Sequence, residues 1–471
     1  MPASSDLIAR TACDIVDDLK RGEITPLDLL DALEARITEV DPAVNALPTL
    51  AFDRARDHAK RLMAKPPEER GILAGMPIPI KDLVEVEGVR TTWGSPIHAD
   101  HIPTRSAYQV KNLENHGAIV YAKSATPEFG AGANTFNEVF GATLNPWDRT
   151  RSAAGSSGGA GVALATGMAW VAQGSDTGGS LRNPASFCGV VGLRPSRGRV
   201  ARDPGILADS LLGVDGPMAR NIADTGLLLD AMCGENPADP LSLPRMPFSY
   251  RDHASRPTKP LRVAFSADLG ITPVDPEVAA ICRAAADKLA GDGVIVEEAH
   301  PDLSESHNCF QVLRAFAFAA GFGQRLRKHP ELMKPEMVWN VEKGLNQPMA
   351  DVFEAQAQRT ELIVRMVNFF ETYDLLLTPA TIVAPFPVEQ RYVETCAGQT
   401  FETYIDWLAI AYAITLTTAP ALSMPCGFTS EGLPVGLQVV AKPRMEHDLL
   451  AGAAYIEGVL GDIAGTPIDP R

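Results

Sequence analysis

From Ser152 through Ser175 the chain carries no charge and is built largely of Gly, Ala and Ser. Its small side chains give a poor transfer energy into a bilayer, so it reads as buried protein rather than as a membrane span. Residues 158–170 read as a small-residue helix, and Trp170-Val171-Ala172 as a strand behind it. The run continues into Gly174-Ser-Asp-Thr-Gly-Gly-Ser-Leu-Arg182. Consecutive small residues let backbone N–H groups converge on one point, because no side chain blocks the approach. A serine ending such a turn sets its hydroxyl beside those donors. Acyl transfer needs that pairing of nucleophile and oxyanion hole.

A serine hydroxyl is too weak without a base. Nine histidines are present, but none falls in a triad motif and there is no Gly-x-Ser-x-Gly elbow. His98 and His101, with Asp100 between them, read as an exposed loop rather than a metal pair. Lysine can act as base when burial holds it neutral. Lys81 follows the uncharged segment Ile72–Ile80, and the Ser156-Ser157 turn offers a second hydroxyl to relay the proton. Gly155–Gly161 lacks the Gly-Lys-Ser/Thr ending of a phosphate-binding loop. Singly, Lys81 also reads as a surface lysine and Gly178-Gly179 as an ordinary turn.

The rest of the chain is that of a globular protein. It has 471 residues, 45% hydrophobic and 21% charged, enough for a large core. Lys+Arg number 42 against Asp+Glu 58, a net charge of −16 that repels phosphate backbones and anionic membranes. Neither nucleic acid nor membrane is expected as a partner. Seven widely spaced cysteines without a C-x-x-C argue against a disulfide framework or zinc ribbon and fit a cytoplasmic protein. Asp6, Arg10, Asp14, Asp17 and Asp18 interrupt any signal-peptide hydrophobic region. A second uncharged run, Trp407–Ser430, is more apolar, but Pro420, Pro425 and Gly427 break it. It reads as buried helix and strand.

Residues 1–70 read as a helical region packed on the body. Thr25-Pro26 forms an N-cap with Pro at N1, and Leu27, Leu29, Leu30, Leu33 and Ile37 follow at helical spacing. Residues 71–471 read as the catalytic domain, with its motif core at 71–235 and a helical insertion at 305–370. Six prolines between Pro237 and Pro260 mark a surface loop. Arg262–Phe265, a helix from Asp275-Pro276 to Gly291, and Val294-Ile295-Val296 form a βαβ unit, which favours a parallel pair. Ala118–Tyr121, Asp374–Thr378 and 435–440 read as further strands.

Lys81-Asp82 after Pro-Ile-Pro-Ile, the Gly155–Gly159 turn and Gly174–Arg182 together resemble the amidase signature family, the Ser–cis-Ser–Lys hydrolases. The likeness runs on through Phe187-Cys-Gly-Val-Val-Gly-Leu-Arg-Pro195, Gly198-Arg199 and Asn145-Pro146-Trp147. It is dense over residues 70–230, with further echoes at Pro420–Pro425 and Gly432–Gln438.

The resemblance implies an α/β fold: one large, mixed, twisted sheet of about eleven strands, covered by helices on both faces. It implies Ser180 as acyl-forming nucleophile, Ser156 as bridging serine beside a cis peptide, and Lys81 as the base. Backbone N–H groups of Thr177, Gly178, Gly179 and Ser180 would form the oxyanion hole. Ser157, Asp176 and Arg182 would hold the lysine and the loop. Substrate would run past Phe129, Gly130, Ala131 and Gly132, with Phe129 either walling the site or serving as core. The loop 203–216, through Ile206, Leu207, Leu211 and Leu212, would lie near the entrance. No metal or cofactor is implied. The expected partner is a small-molecule amide, anilide or carbamate (urethane). A homodimer is among the assemblies implied, and no residue pattern marks an interface. The alternatives are a glutaminase subunit of a tRNA-dependent amidotransferase and a catalytically silent binding protein. Against the first, the segment 210–215 reads Ser-Leu-Leu-Gly-Val-Asp where that glutaminase usually has Ser-Ser-Leu-Asp-Gln.

Overall fold

The computed structural model describes residues 4–205 and 207–471. The charge-free run folds as a helix and then a strand, but the helix, read as 158–170, spans Gly158–Ala165 and stops before Gly167, whose φ is +75°. The strand is Val171–Asp176, and every residue of the helix is buried. Eight strands form the main sheet. From one edge they run Ile295–Glu298, Arg262–Phe265, Leu375–Pro379, Pro434–Val440, Ala421–Phe428, Val191–Arg194, Val214–Ala219 and Val171–Asp176. The first three pair parallel, as the βαβ reading requires, and the others antiparallel, so the sheet is mixed.

The expected strand count of about eleven is divided between two sheets. A separate three-stranded sheet, Thr49–Leu50, Ile119–Ser124 and Pro77–Lys81, lies beyond the Val171–Asp176 edge. A side chain bridges the two sheets, because the Lys81 backbone N–H donates to Gln173 Oε1 at 3.1 Å. The two-residue strand Thr49–Leu50 interrupts a region read only as helical.

The N-terminal helices pack into the same hydrophobic cluster as the sheet, through residues such as Leu29, Leu33 and Val44. Thr25 caps the helix Pro26–Val44 in a reciprocal box with Asp28. The run Trp407–Ser430 becomes a buried helix, Ala409–Leu416, and the strand Ala421–Phe428. No helix among the described residues is long and apolar enough to cross a membrane. Residues 305–370 supply three long helices, Ser306–Lys328, Pro335–Asn346 and Met349–Phe369. They build a second hydrophobic cluster with Trp407, Tyr412 and Ile414, and one face of the first walls the site.

Candidate active site

Lys81 ends the strand Pro77–Lys81 and is fully buried. Its Nζ lies within hydrogen-bond distance of three hydroxyls, Ser156 Oγ and Ser157 Oγ at 2.8 Å and Ser175 Oγ at 3.1 Å. Burial pushes its pKa down to about 7, although the carboxylates of Asp215 and Asp176 pull it upward. A neutral amine surrounded by hydroxyls has a lone pair to take a proton. The peptide bond between Gly155 and Ser156 is cis. Ser157 begins the helix Gly158–Ala165. Ser175, a motif residue with no role expected from the sequence, is thus a third hydroxyl on the lysine.

The turn after Val171–Asp176 carries Thr177, Gly178, Gly179 and Ser180, and its geometry is set by Asp176. Burial raises the Asp176 pKa, but the adjacent Arg182 and Arg194 guanidinium groups outweigh it and hold the carboxyl well below the usual range. Arg182 contacts it from Nη2 at 2.9 Å and Nε at 3.0 Å, and Arg194 from Nη1 at 3.1 Å. Asp176 also accepts from the Gly179 N–H at 3.0 Å and the Leu181 N–H at 3.2 Å. The expected donor set therefore narrows: Gly179 is committed to the carboxylate, whereas the N–H groups of Thr177, Gly178 and Ser180 have no protein acceptor among the described residues. Gly179 has φ +106°, and a Cβ there would stand 2.5 Å from Asn183 Oδ1. The turn thus requires glycine.

Ser156, Ser175, Thr177, Gly178 and Ser180 line one side of a cavity of about 290 Å³. Ser156 and Ser180 share it without a direct hydrogen bond between their hydroxyls. Of the four residues assigned to substrate, Phe129, Gly130 and Gly132 line this cavity. Ala131 does not. It packs with Met333 and Met337, and its carbonyl accepts from Lys334 Nζ at 2.5 Å. A side chain at Gly130 would meet Leu83 at 2.9 Å and Ser156 Oγ at 3.4 Å, so the missing side chain keeps the space open. Phe129 is both wall and core: it faces the cavity and packs on Phe322 with ring centroids 4.9 Å apart.

The opposite wall is Phe310, Arg314, Phe318 and Phe322, with Ile405 and Leu408. Sequence reading missed these residues, although the four-residue spacing from 310 to 322 inside a helix was a usable signal. Arg202, just before the loop 203–216, and Val214, within it, also line the cavity. A neighbouring cavity of about 550 Å³ shares Leu83, Phe129 and Arg202 and is lined by Pro204, Leu207 and Ser210 of the loop 203–216. Leu212 instead is buried in the core, and Ile206 lies outside the described residues. His98 and His101 are packed against Trp93 rather than lying in an exposed loop, and no cluster of three metal-ligating side chains occurs among the described residues.

The chain is similar to known proteins along nearly its whole length. The family model described as Amidase matches residues 28–450. An acylamidase from Rhodococcus erythropolis is 35% identical over 461 residues, covering 95% of each chain. One component of the glutamyl-tRNA(Gln) amidotransferase from Moorella thermoacetica is also 35% identical, over 96% of this chain and 97% of that one. The crystal structure of a bacterial aryl acylamidase superposes with a TM-score of 0.88 at 25% identity, covering 96% of both chains.

Proposed function

The chain belongs to the amidase family, a hydrolase of carbon–nitrogen bonds, and on that premise we propose that it cleaves small-molecule amides through an acyl-enzyme on Ser180. Ser180 Oγ attacks the carbonyl carbon. Its proton passes to Ser156 Oγ as the Ser156 proton passes to neutral Lys81 Nζ. The gap between the two serine hydroxyls is of the kind that tightens when substrate binds. The oxyanion is held by the free N–H groups of Thr177, Gly178 and Ser180. The proton returns along the same hydroxyls to the leaving amine, and water then repeats the sequence on the ester. Ser157 and Ser175 hold Lys81 in line, and Asp176 with Arg182 and Arg194 holds the turn.

The observation that carries this reading is the fully buried Lys81, its pKa pushed down to about 7, with its Nζ 2.8 Å from Ser156 Oγ. The largely apolar and aromatic wall suits acyl amides, anilides and aryl carbamates, and the acylamidase and aryl acylamidase relatives support the first two of these. A second reading, a glutaminase that needs a partner protein, is favoured by the equally similar amidotransferase component.

The test is amine or ammonia release by wild type and Ser180→Ala with no partner added. The panel is an aliphatic primary amide, a nitroanilide, an aryl carbamate and glutamine. Ser180-dependent release from any of the first three is expected. Release from glutamine alone, or only with an added partner, would move the assignment to the second reading. Release that persists in Ser180→Ala would remove the nucleophile.

A further inference from the structure

Four side chains of the helix Ser306–Lys328 face the cavity in a stripe four residues apart: Phe310, Arg314, Phe318 and Phe322. Three are aromatic and one is a cation. Arg314 is only 7% exposed. Its guanidinium donates to Asn340 Oδ1 and to the Tyr404 hydroxyl, the latter at 2.7 Å, and lies 4.3 Å from the Phe318 ring centroid. All three are neutral. No carboxylate among the described residues lies within ion-pair distance of it, and the nearby acids are already engaged. Asp406 accepts from Gln311 at 2.8 Å and from the Thr403 hydroxyl at 2.6 Å, while Glu336 takes both arms of Arg391 at 2.7 Å.

A buried cation without a counter-ion is strongly unfavourable unless something supplies the negative charge. Arg314 opens onto the same cavity as Ser180. A planar guanidinium matches a carboxylate in two-pronged fashion. We propose that Arg314 is a specificity residue that selects amides bearing a carboxylate, which lodges against its guanidinium while the scissile carbonyl lies at Ser180. This deepens the amide-hydrolase reading and rests on it. The rings of Phe310 and Phe318 take the apolar segment between the two groups.

The experiment compares kcat/KM for three substrates of similar size: pentananilide, glutaranilic acid (carboxylate on the acyl side) and 4-(pentanoylamino)benzoate (carboxylate on the amine side). Wild type is expected to favour one of the acids over pentananilide by tenfold or more, and which acid it is identifies the side. Asn340→Asp places an internal carboxylate on Arg314 in nearly the same shape, giving up the amide N–H donations to the Glu336 carbonyl and the Tyr404 hydroxyl, and Arg314→Met removes the cation. Both should bring the ratio to one or below. Because a ratio is read, a general loss of activity does not enter. Wild-type ratios of one or less for both acids, or a ratio unchanged in Asn340→Asp, would overturn the proposal. If no anilide is cleaved, calorimetric titration with glutarate and with benzoate decides it. Binding lost in Asn340→Asp keeps the anion site, and no binding of either ends it. Failure of the hydrolase reading itself is seen separately, as absence of Ser180 labelling by a fluorophosphonate.

Discussion

Lys81 and Ser156 are 75 positions apart in the chain and 2.8 Å apart across a hydrogen bond, within a site where the lysine has no solvent contact. Lys81→Ala should therefore lower kcat by roughly 10²–10⁴-fold, the range for a positioned acid–base group. Circular dichroism should remain that of a folded protein. Full turnover in this variant would sink the relay.

On the proposed relay the same lysine should set the pH profile. Its pKa is depressed to about 7, and the relay needs the neutral amine, so kcat/KM should rise with pH and level off above about 7. Stability has the same sign. Between about pH 7 and the ordinary lysine value near 10.5 the unfolded chain binds this proton and the folded chain does not, so the Lys81 contribution improves as pH rises through that window. An activity profile flat from pH 5 to 9 would contradict the assignment.

Asp176→Asn should be among the most damaging substitutions. It leaves Arg182 and Arg194 buried without their shared carboxylate. Breaking a buried pair by removing one partner typically destabilises by about 3–5 kcal/mol. Chemical denaturation should show a loss of that order, and activity should fall with it because an amide keeps only one acceptor oxygen, so either the Gly179 or the Leu181 N–H of the turn is left facing an NH2 group.

Gly179→Ala separates the turn from the hydroxyls. The backbone at φ +106° disfavours any L side chain, and the new methyl group would press on Asn183. A destabilisation of about 1–3 kcal/mol is expected. A fall in kcat with little change in KM is also expected if, as proposed, the donors of the turn serve the oxyanion rather than the ground state. Unaltered kcat would show that the turn does not position the donors.

Away from the site, burial pushes the Glu457 carboxyl up to about 7, and Asp224 and Asp462 push the same way, while the Ile222 N–H at 3.0 Å offsets part of this. A raised carboxyl stabilises the fold below its unfolded value near 4.5 and loses that contribution as pH rises through about 7. Glu457→Gln keeps an acceptor for Ile222. It should raise stability by about 1 kcal/mol at pH 8, after discounting for its partial exposure, and hardly at all at pH 4. Equal melting shifts at the two pH values would count against it.

Residues whose chemistry depends on local sequence are the legible ones. The serine turns, the lysine after an uncharged strand, and the glycines of the 177–180 turn can be placed because each lies in a segment that forms its own strand end or tight turn. Arg182 can be grouped with Asp176, six positions away. Its contacts to Gln438 Oε1 at 2.6 Å and to the Ala411 carbonyl at 2.8 Å cannot, because they arise from strands and helices far along the chain. Ala131 is misplaced by sequence reading for a related reason: period and composition do not tell which of four adjacent loop residues turns inward, and Lys334 decides it from outside the loop. The stripe at 310–322 reads as plain helix, since an arginine at helical spacing ordinarily faces water.

The sequence by itself determined the family, the mixed α/β class and the candidate nucleophile, bridge and base, because these are carried by short segments with their own conformational and chemical signatures. Only the tertiary structure decided that Lys81 loses its solvation, that Gly179 has its N–H taken, and that Arg314 meets a cavity without a counter-ion. Solvation and contact belong to the packed arrangement: they depend on which distant segments exclude water from a group and which charges they bring near it.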